Sequence, residues 1–317
     1  MWMVPDASAA ASMARLSSRD PPKDPVLQQL EHFGDPTFGV NDAFKAVTRF
    51  WDRITHPAQV IQSLPAALNT MLDPADCGPA FIGLPQDVQG WTYDYPVGFF
   101  AERVHRIRRQ CADADEITEA AALLATAKRP MIIAGGGVQY SGAVAELTAF
   151  AEATGIPVVE TIAGRANLLD THPLNIGPIG VTGSNSANAA AEKADVILSV
   201  GSRLQDFTTG SWTAFAPDAK IIGLNVARHD AAKHMSMTVV GDAKLGLVAL
   251  TDALAGYSSP KSWTEKAQTE RAKWVSYVEE NTRLDNGPAS YAQAIGVVNA
   301  LCDPRDRIVA AAGGLPA

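Results

Sequence analysis

Arg203 and Asp206 stand three residues apart in Gly201-Ser202-Arg203-Leu204-Gln205-Asp206, directly after the apolar run Val196-Ile197-Leu198-Ser199-Val200. A guanidinium at the end of a buried strand can clamp an anion through paired hydrogen bonds. The same two charges can instead pair with each other and stiffen the loop. Thr208, Thr209 and Ser211 follow, offering hydroxyls that could bind a polyol. A second apolar run, Met131-Ile132-Ile133-Ala134, ends on Gly135-Gly136-Gly137. Glycines there allow close backbone approach and can turn N–H groups toward a phosphate. The spacing is not G-x-G-x-x-G and no acidic residue closes the next strand where a ribose would need it, so a plain tight turn competes. In Gly177-Pro178-Ile179-Gly180-Val181-Thr182-Gly183-Ser184, either Ser184 or Asn185 can cap a helix, while the loop amides could hold an anion.

Other reactive residue types form no constellation. The histidines His32, His56, His105, His172, His229 and His234 give neither H-x-x-x-H nor H-E-x-x-H, and are expected to be surface or capping residues. Ser184 lacks a G-x-S-x-G context. Glu279-Glu280 reads as a solvated helix face. Cys77, Cys111 and Cys302 are odd in number and far apart, as expected of reduced thiols in a cytoplasmic protein. The residues alone assign no catalytic site and no metal site.

The elements that carry these loops alternate. Helices over 115–127, 142–154, 185–193 and 243–254 are interleaved with strands over 131–134, 156–160, 195–200, 220–225 and 237–240, with a long loop through Pro173 and Gly183. Strand–helix alternation predicts a doubly wound parallel α/β sheet with helices on both faces. Before it, residues 42–73 carry apolar residues at helical spacing, Gly78 to Val88 reads as turn, buried strand and exit, and 91–114 reads as a linker packing by its aromatics. After it come a helical linker over 256–288, with Trp263, Ala267, Trp274, Val275 and Val278 as its buried stripe, then a helix over 289–301 and a final strand over 308–312.

The 317 residues carry a net charge of −8, with 47% hydrophobic and 19% charged residues, which fits a soluble protein with a real core and disfavours a nucleic-acid partner. No apolar run approaches the roughly 20 residues of a membrane span. Residues 1–24, rich in Ala and Ser and then in Pro, Lys and Asp, read as a disordered leader and not as a signal peptide. A buried-type strand that stops at Gly313-Gly314-Leu315-Pro316-Ala317 leaves backbone groups in need of neighbours, so both ends read as cut.

Taken in order, several segments resemble the thiamine-diphosphate-dependent enzymes of the acetolactate synthase and pyruvate decarboxylase type. Gly78-Pro79-Ala80-Phe81-Ile82-Gly83-Leu84-Pro85-Gln86-Asp87-Val88 is similar to the signature that closes their pyrimidine-binding domain. Arg129-Pro130 through Gly137, Gly155-Ile156-Pro157-Val158, His172 through Gly177 and Gly201-Ser202-Arg203 are similar to their middle domain. Gly177 through Ser184, Leu204 through Trp212 and Ala311-Ala312-Gly313-Gly314-Leu315-Pro316 resemble the hydrolase subfamily of inositol catabolism, as do Asp24 through Glu31 and Tyr93-Asp94-Tyr95-Pro96.

The resemblance spans about residues 24–317 and implies a central slice of a chain roughly twice as long. Residues 25–90 would be the C-terminal part of the pyrimidine-binding domain. The middle Rossmann-like domain would be 115–255, and 289–317 the start of the diphosphate-binding domain, flanking it as partial α/β domains. It implies a hydrolase that cleaves a C–C bond of trihydroxycyclohexane-1,2-dione to give 5-deoxy-glucuronate, working with thiamine diphosphate and Mg²⁺ as a homo-oligomer. The family's activating glutamate would precede Asp24, and its G-D-G…N motif for Mg²⁺ and diphosphate would follow Ala317. Gly313, Gly314 and Leu315 alone map near the diphosphate, and the isolated chain is expected to be inactive. Two other readings stay open: an acetolactate-synthase-like enzyme with a flavin nucleotide in its middle domain, and a non-catalytic nucleotide-binding α/β module.

Overall fold

The structure, a computed structural model, describes residues 2–6 and 39–309 except 286, 304 and 307. The chain divides into two compact units, residues 1–108 and 109–317.

In the first unit, strands β1 (Trp2–Asp6), β2 (Phe50–Arg53) and β3 (Ala80–Pro85) form a parallel sheet in the order β1-β3-β2. Trp2–Asp6, inside the stretch expected to be a disordered leader, instead run beside β3 in register from Trp2↔Phe81 to Asp6↔Pro85. This ladder satisfies backbone groups on one side of β3, as β2 does on the other. The expected helix over 42–73 is also corrected. A 3₁₀ segment covers Val40–Ala46 and β2 follows. A second 3₁₀ turn, Pro57–Gln59, then leads into helix α1 (Val60–Leu72). The spacing misleads because Phe50 to Arg53 are each half-buried, an edge strand without alternation.

Pro57 opens its turn, with His56 Nδ1 accepting the Ala58 N–H at 3.2 Å. Helix α1 packs on the sheet around Ile54, Ala67, Ala80 and Ile82. Residues 93–100 pack by aromatics: Tyr93, Tyr95, Phe99 and Phe100 follow one another at ring separations of 5.1, 5.6 and 5.3 Å.

In the second unit, six parallel strands lie in the order β6-β5-β4-β7-β8-β9. They are β4 (Pro130–Ala134), β5 (Val158–Glu160), β6 (Asn175–Pro178), β7 (Val196–Val200), β8 (Lys220–Asn225) and β9 (Met237–Val240). The doubly wound α/β expectation holds. Every residue of β4 and β7 is buried, which is why both read as unbroken apolar runs. Helices α2 (Ala114–Ala125), α3 (Val144–Thr154) and α5 (Ala243–Ala253) cover one face, around Ile132, Leu147, Phe150, Leu198 and Leu250. Helices α4 (Asn185–Ala191) and α6 (Lys261–Thr282) cover the other, around Met131, Ile133, Ile197 and Trp263.

Strand β6 lies in what reads as a long loop. Its sequence, Asn-Ile-Gly-Pro, carries turn residues, which an edge strand tolerates. The stretch expected to be a helical linker is tied to the sheet. Trp263 Nε1 donates to Pro130 O at 2.8 Å, Thr264 Oγ1 to Gly155 O at 2.8 Å and Gln268 Nε2 to Pro173 O at 3.1 Å. Of its expected buried stripe only Trp263 and Ala267 are buried, while Val275 and Val278 face solvent. Helix α7 (Tyr291–Leu301) follows, opened by a capping box at Ser290. The expected strand 308–312 is not seen at Ile308 and Val309, which are exposed without regular structure, and 310–312 lie outside the described residues.

Candidate functional site

Outward from β4, the strands run β4-β5-β6 on one side and β7-β8-β9 on the other, so chain direction across the sheet switches between β4 and β7. Ligands of open α/β sheets bind outside the carboxyl ends of the strands at such a switch. Gly135-Gly136-Gly137 and Gly201-Ser202-Arg203 are the two loops that meet there.

They meet backbone to backbone. Gly135 N–H donates to Val200 O at 2.8 Å and Gly137 N–H to Gly201 O at 2.9 Å. A Cβ on Gly135 would lie 2.3 Å from Gly201 O, and one on Gly137 would lie 2.6 Å from Gly201 Cα. Gly201 itself has φ +59°. The tight-turn reading therefore accounts for these glycines: their amides bind protein, and their missing side chains let two loops interlock.

Ser184 caps α4, accepting the Ala187 N–H at 3.1 Å and donating to Pro178 O at 3.1 Å. The neighbouring loop amides are also engaged, Gly180 N–H by Asn188 Oδ1 at 3.0 Å and Val181 N–H by Phe207 O at 2.8 Å. Arg203 and Asp206 are both exposed, and no ion pair joins them among the described residues. Thr209 is buried and takes the Trp212 N–H at 3.1 Å, so it serves the loop, while Ser211 is exposed. Leu204, Ser211, Trp212, His234 and Met235 have left-handed backbones, all in the loops after β7 and β8. Trp212 and His234 rings lie 3.2 Å apart.

Histidines behave largely as spacers and caps. His172 Nδ1 accepts the Leu174 N–H at 3.2 Å, and its Nε2 lies 3.3 Å from Glu152 Oε1. His105, His229 and His234 are exposed, and His32 lies outside the described residues. Glu279 and Glu280 are exposed, as are Cys77 and Cys111.

Two buried polar residues at this edge escape a motif search. Glu160 ends β5 and accepts the Leu168 N–H at 2.8 Å. Burial pushes its carboxyl above the ordinary glutamate range, against backbone N–H donors and Arg165 that act to lower it. Asn167 Nδ2 donates to Gly135 O at 3.0 Å, tying the loop after β5 to the glycine interlock. A charged residue ending the run Val158-Val159-Glu160 was the available signal.

The described residues offer no metal-type cluster for a divalent ion such as Mg²⁺: no group of three His, Cys, Asp or Glu residues suited to a metal occurs among them. Gly313, Gly314 and Leu315 lie outside the described residues. No helix among the described residues is long and apolar enough to cross a membrane.

Residues 117–250 match the family described as thiamine pyrophosphate enzyme, central domain. The chain is 41% identical over 317 residues to the 3D-(3,5/4)-trihydroxycyclohexane-1,2-dione hydrolase of Geobacillus thermodenitrificans (strain NG80-2), covering 92% of this chain and 49% of that one. It is 43% identical over 263 residues to the protein of the same description from Listeria monocytogenes serovar 1/2a, covering 83% and 40%. With that of Clostridium perfringens (strain ATCC 13124) it is 38% identical over 318 residues, covering 92% and 50%. The chain thus spans about half the length, or less, of these curated relatives.

Proposed function

We propose, for a chain that belongs to the thiamine pyrophosphate enzyme family through its central domain, that it serves a hydrolase of inositol catabolism. The reaction is C–C cleavage of trihydroxycyclohexane-1,2-dione to 5-deoxy-glucuronate. The observation that carries this reading is 41% identity over 92% of the chain to a relative of that description. The carbanion chemistry is the cofactor's, and no described residue is assigned a step in it. Residues 115–255 act as the frame between two cofactor-binding domains, to which 25–90 and 289–317 contribute. Gly313, Gly314 and Leu315 lie near the diphosphate, and Mg²⁺ accompanies it. The working enzyme is a cytoplasmic homo-oligomer acting on a polyol-derived dione, with neither nucleic acid nor a membrane as partner. In this reading the chain by itself does not turn the dione over.

The test is a chimera. Residues 115–255 replace the corresponding segment of the Geobacillus relative, and dione cleavage is measured with thiamine diphosphate and Mg²⁺. Turnover supports the reading. A folded chimera that binds the cofactor and leaves the dione intact overturns it.

A flavin-binding middle domain, as in acetolactate synthase, is the second reading. It is favoured by a strand order with its switch between β4 and β7, where nucleotides bind in other open sheets. Flavin absorbance that stays with the purified chain would support it.

A further inference from the structure

Asn167 has no exposed surface, and its amide orientation is set by the bond from Nδ2 to Gly135 O. Its Oδ1 is therefore an acceptor turned into the protein, and no donor reaches it among the described residues. Buried carbonyl oxygens of this kind are rare because leaving them unpaired is unfavourable. Glu160 is also buried, at 3% exposure, and its carboxyl is bound by the loop that carries Asn167. The N–H groups of Ala166, Asn167 and Leu168 all favour its ionised form. A protonated Glu160 would bring the one thing Asn167 Oδ1 lacks.

We propose that Glu160 and Asn167 form a proton-dependent latch at the carboxyl edge of the sheet. With Glu160 protonated, its hydroxyl donates to Asn167 Oδ1. With Glu160 ionised, its carboxylate accepts from the loop amides and Asn167 Oδ1 has no donor. The proton comes from solvent and returns to it.

The surroundings leave few competing charges. Across the register, Glu160 faces Ala134 of β4 and Pro178 of β6, neither of which titrates. Arg165, on the same loop, is the cation that acts on it. On the helix packed over this part of the sheet, Glu146 pairs with Lys244 and Glu152 lies beside His172. Asn167 passes the state of the latch to Gly135, whose own N–H bonds Val200, so the loop contact between β4 and β7 is the first structure to respond.

The sign follows from burial, which raises the folded-state pKa of Glu160. The native state then holds the proton to higher pH than the unfolded chain does. Stability from this group is full below the ordinary value of 4.5 and is lost as pH rises through the folded-state value. Carbon-13 NMR of the glutamate carboxyls in the whole chain reads the titration, with Glu160→Gln giving the assignment. Glu160 should titrate above 4.5, and Asn167→Ala should move that titration down. Glu160→Gln carries an N–H donor at every pH, so its melting temperature should lose the part of the pH dependence that the wild type shows above 4.5. An ordinary Glu160 titration overturns the latch. So does a raised titration that Asn167→Ala leaves in place, or a Glu160→Gln melting profile parallel to the wild type.

Discussion

The guanidinium of Arg109 reaches both carboxylate oxygens of Asp242, at 3.1 and 2.9 Å, across 133 positions of sequence. Asp242 uses the same carboxylate to cap α5, accepting the Lys244 and Leu245 N–H groups at 3.1 and 3.3 Å. Its own N–H donates to Gln110 O at 2.8 Å. The point where the second unit begins is thus fastened to the start of α5. A basic run, Arg106 to Arg109, therefore splits in role: Arg109 is engaged, while Arg106 and Arg108 stand in solvent.

The two partners should not be equivalent on removal. Asp242→Ala loses a helix cap as well as an ion pair and should cost about 1–2 kcal/mol. Arg109 is partly exposed, and Arg109→Ala should cost at most about 1 kcal/mol. Urea unfolding of both variants measures the difference. Equal losses would mean that the cap contributes nothing.

The glycine interlock predicts a steep response to one methyl group. Gly135→Ala would drive its Cβ to within 2.3 Å of Gly201 O, a backbone atom that can move only with its loop. A loss of about 1–3 kcal/mol is expected. Gly98→Ala meets nothing within 4 Å and should leave stability unchanged within about 0.5 kcal/mol. Differential scanning calorimetry of the two variants provides the comparison.

Trp263→Phe keeps most of the buried ring and deletes the donor to Pro130 O. Pro130 O is then left without that partner, which should cost about 1–3 kcal/mol. Far-ultraviolet circular dichroism should show an unchanged fold at a lower melting temperature. An unchanged melting temperature would mean that water replaces the indole.

Limited proteolysis should open the chain between residues 101 and 108, which are exposed and without regular structure apart from the bend at Ala101. The Gly, Tyr, Ser and Pro residues of 256–262 suggest a second boundary, but Ser259 is buried and its N–H bonds Thr154 O at 2.7 Å. The major fragment should therefore run from near Arg109 through Trp263 and into α6. A stable fragment ending near 256 would contradict the anchoring of α6.

Strands β4 and β7 were legible because a strand buried on both faces, as in Met131-Ile132-Ile133, has no polar alternation to confuse it. Helix α6 falls inside the helical stretch expected over 256–288, yet only part of the expected buried stripe is buried. Spacing shows which residues share a face, not how far along the helix a partner extends. Strands β2 and β6 were missed for opposite reasons: Phe50-Trp51-Asp52-Arg53 sits among apolar residues at helical spacing, and Asn175-Ile176-Gly177-Pro178 consists largely of turn formers. Glu160 and Asn167 were invisible as a pair because their relation lies in burial and in one carbonyl's orientation, which no spacing encodes.

The bonds from α6 to the amino ends of β4 and β5 also set an order in time. Pro130 O waits 133 residues for its donor, and Gly155 O waits 109 for Thr264. During synthesis the sheet can assemble strand by strand while its base stays wet. It dries only when the ribosome has delivered Trp263. At about 5–20 residues per second, that interval is several seconds to half a minute. Until then the nascent domain carries Met131 and Ile133, and later Ile197, still without their Trp263 cover, so this stretch of translation is when a chaperone has the most to hold.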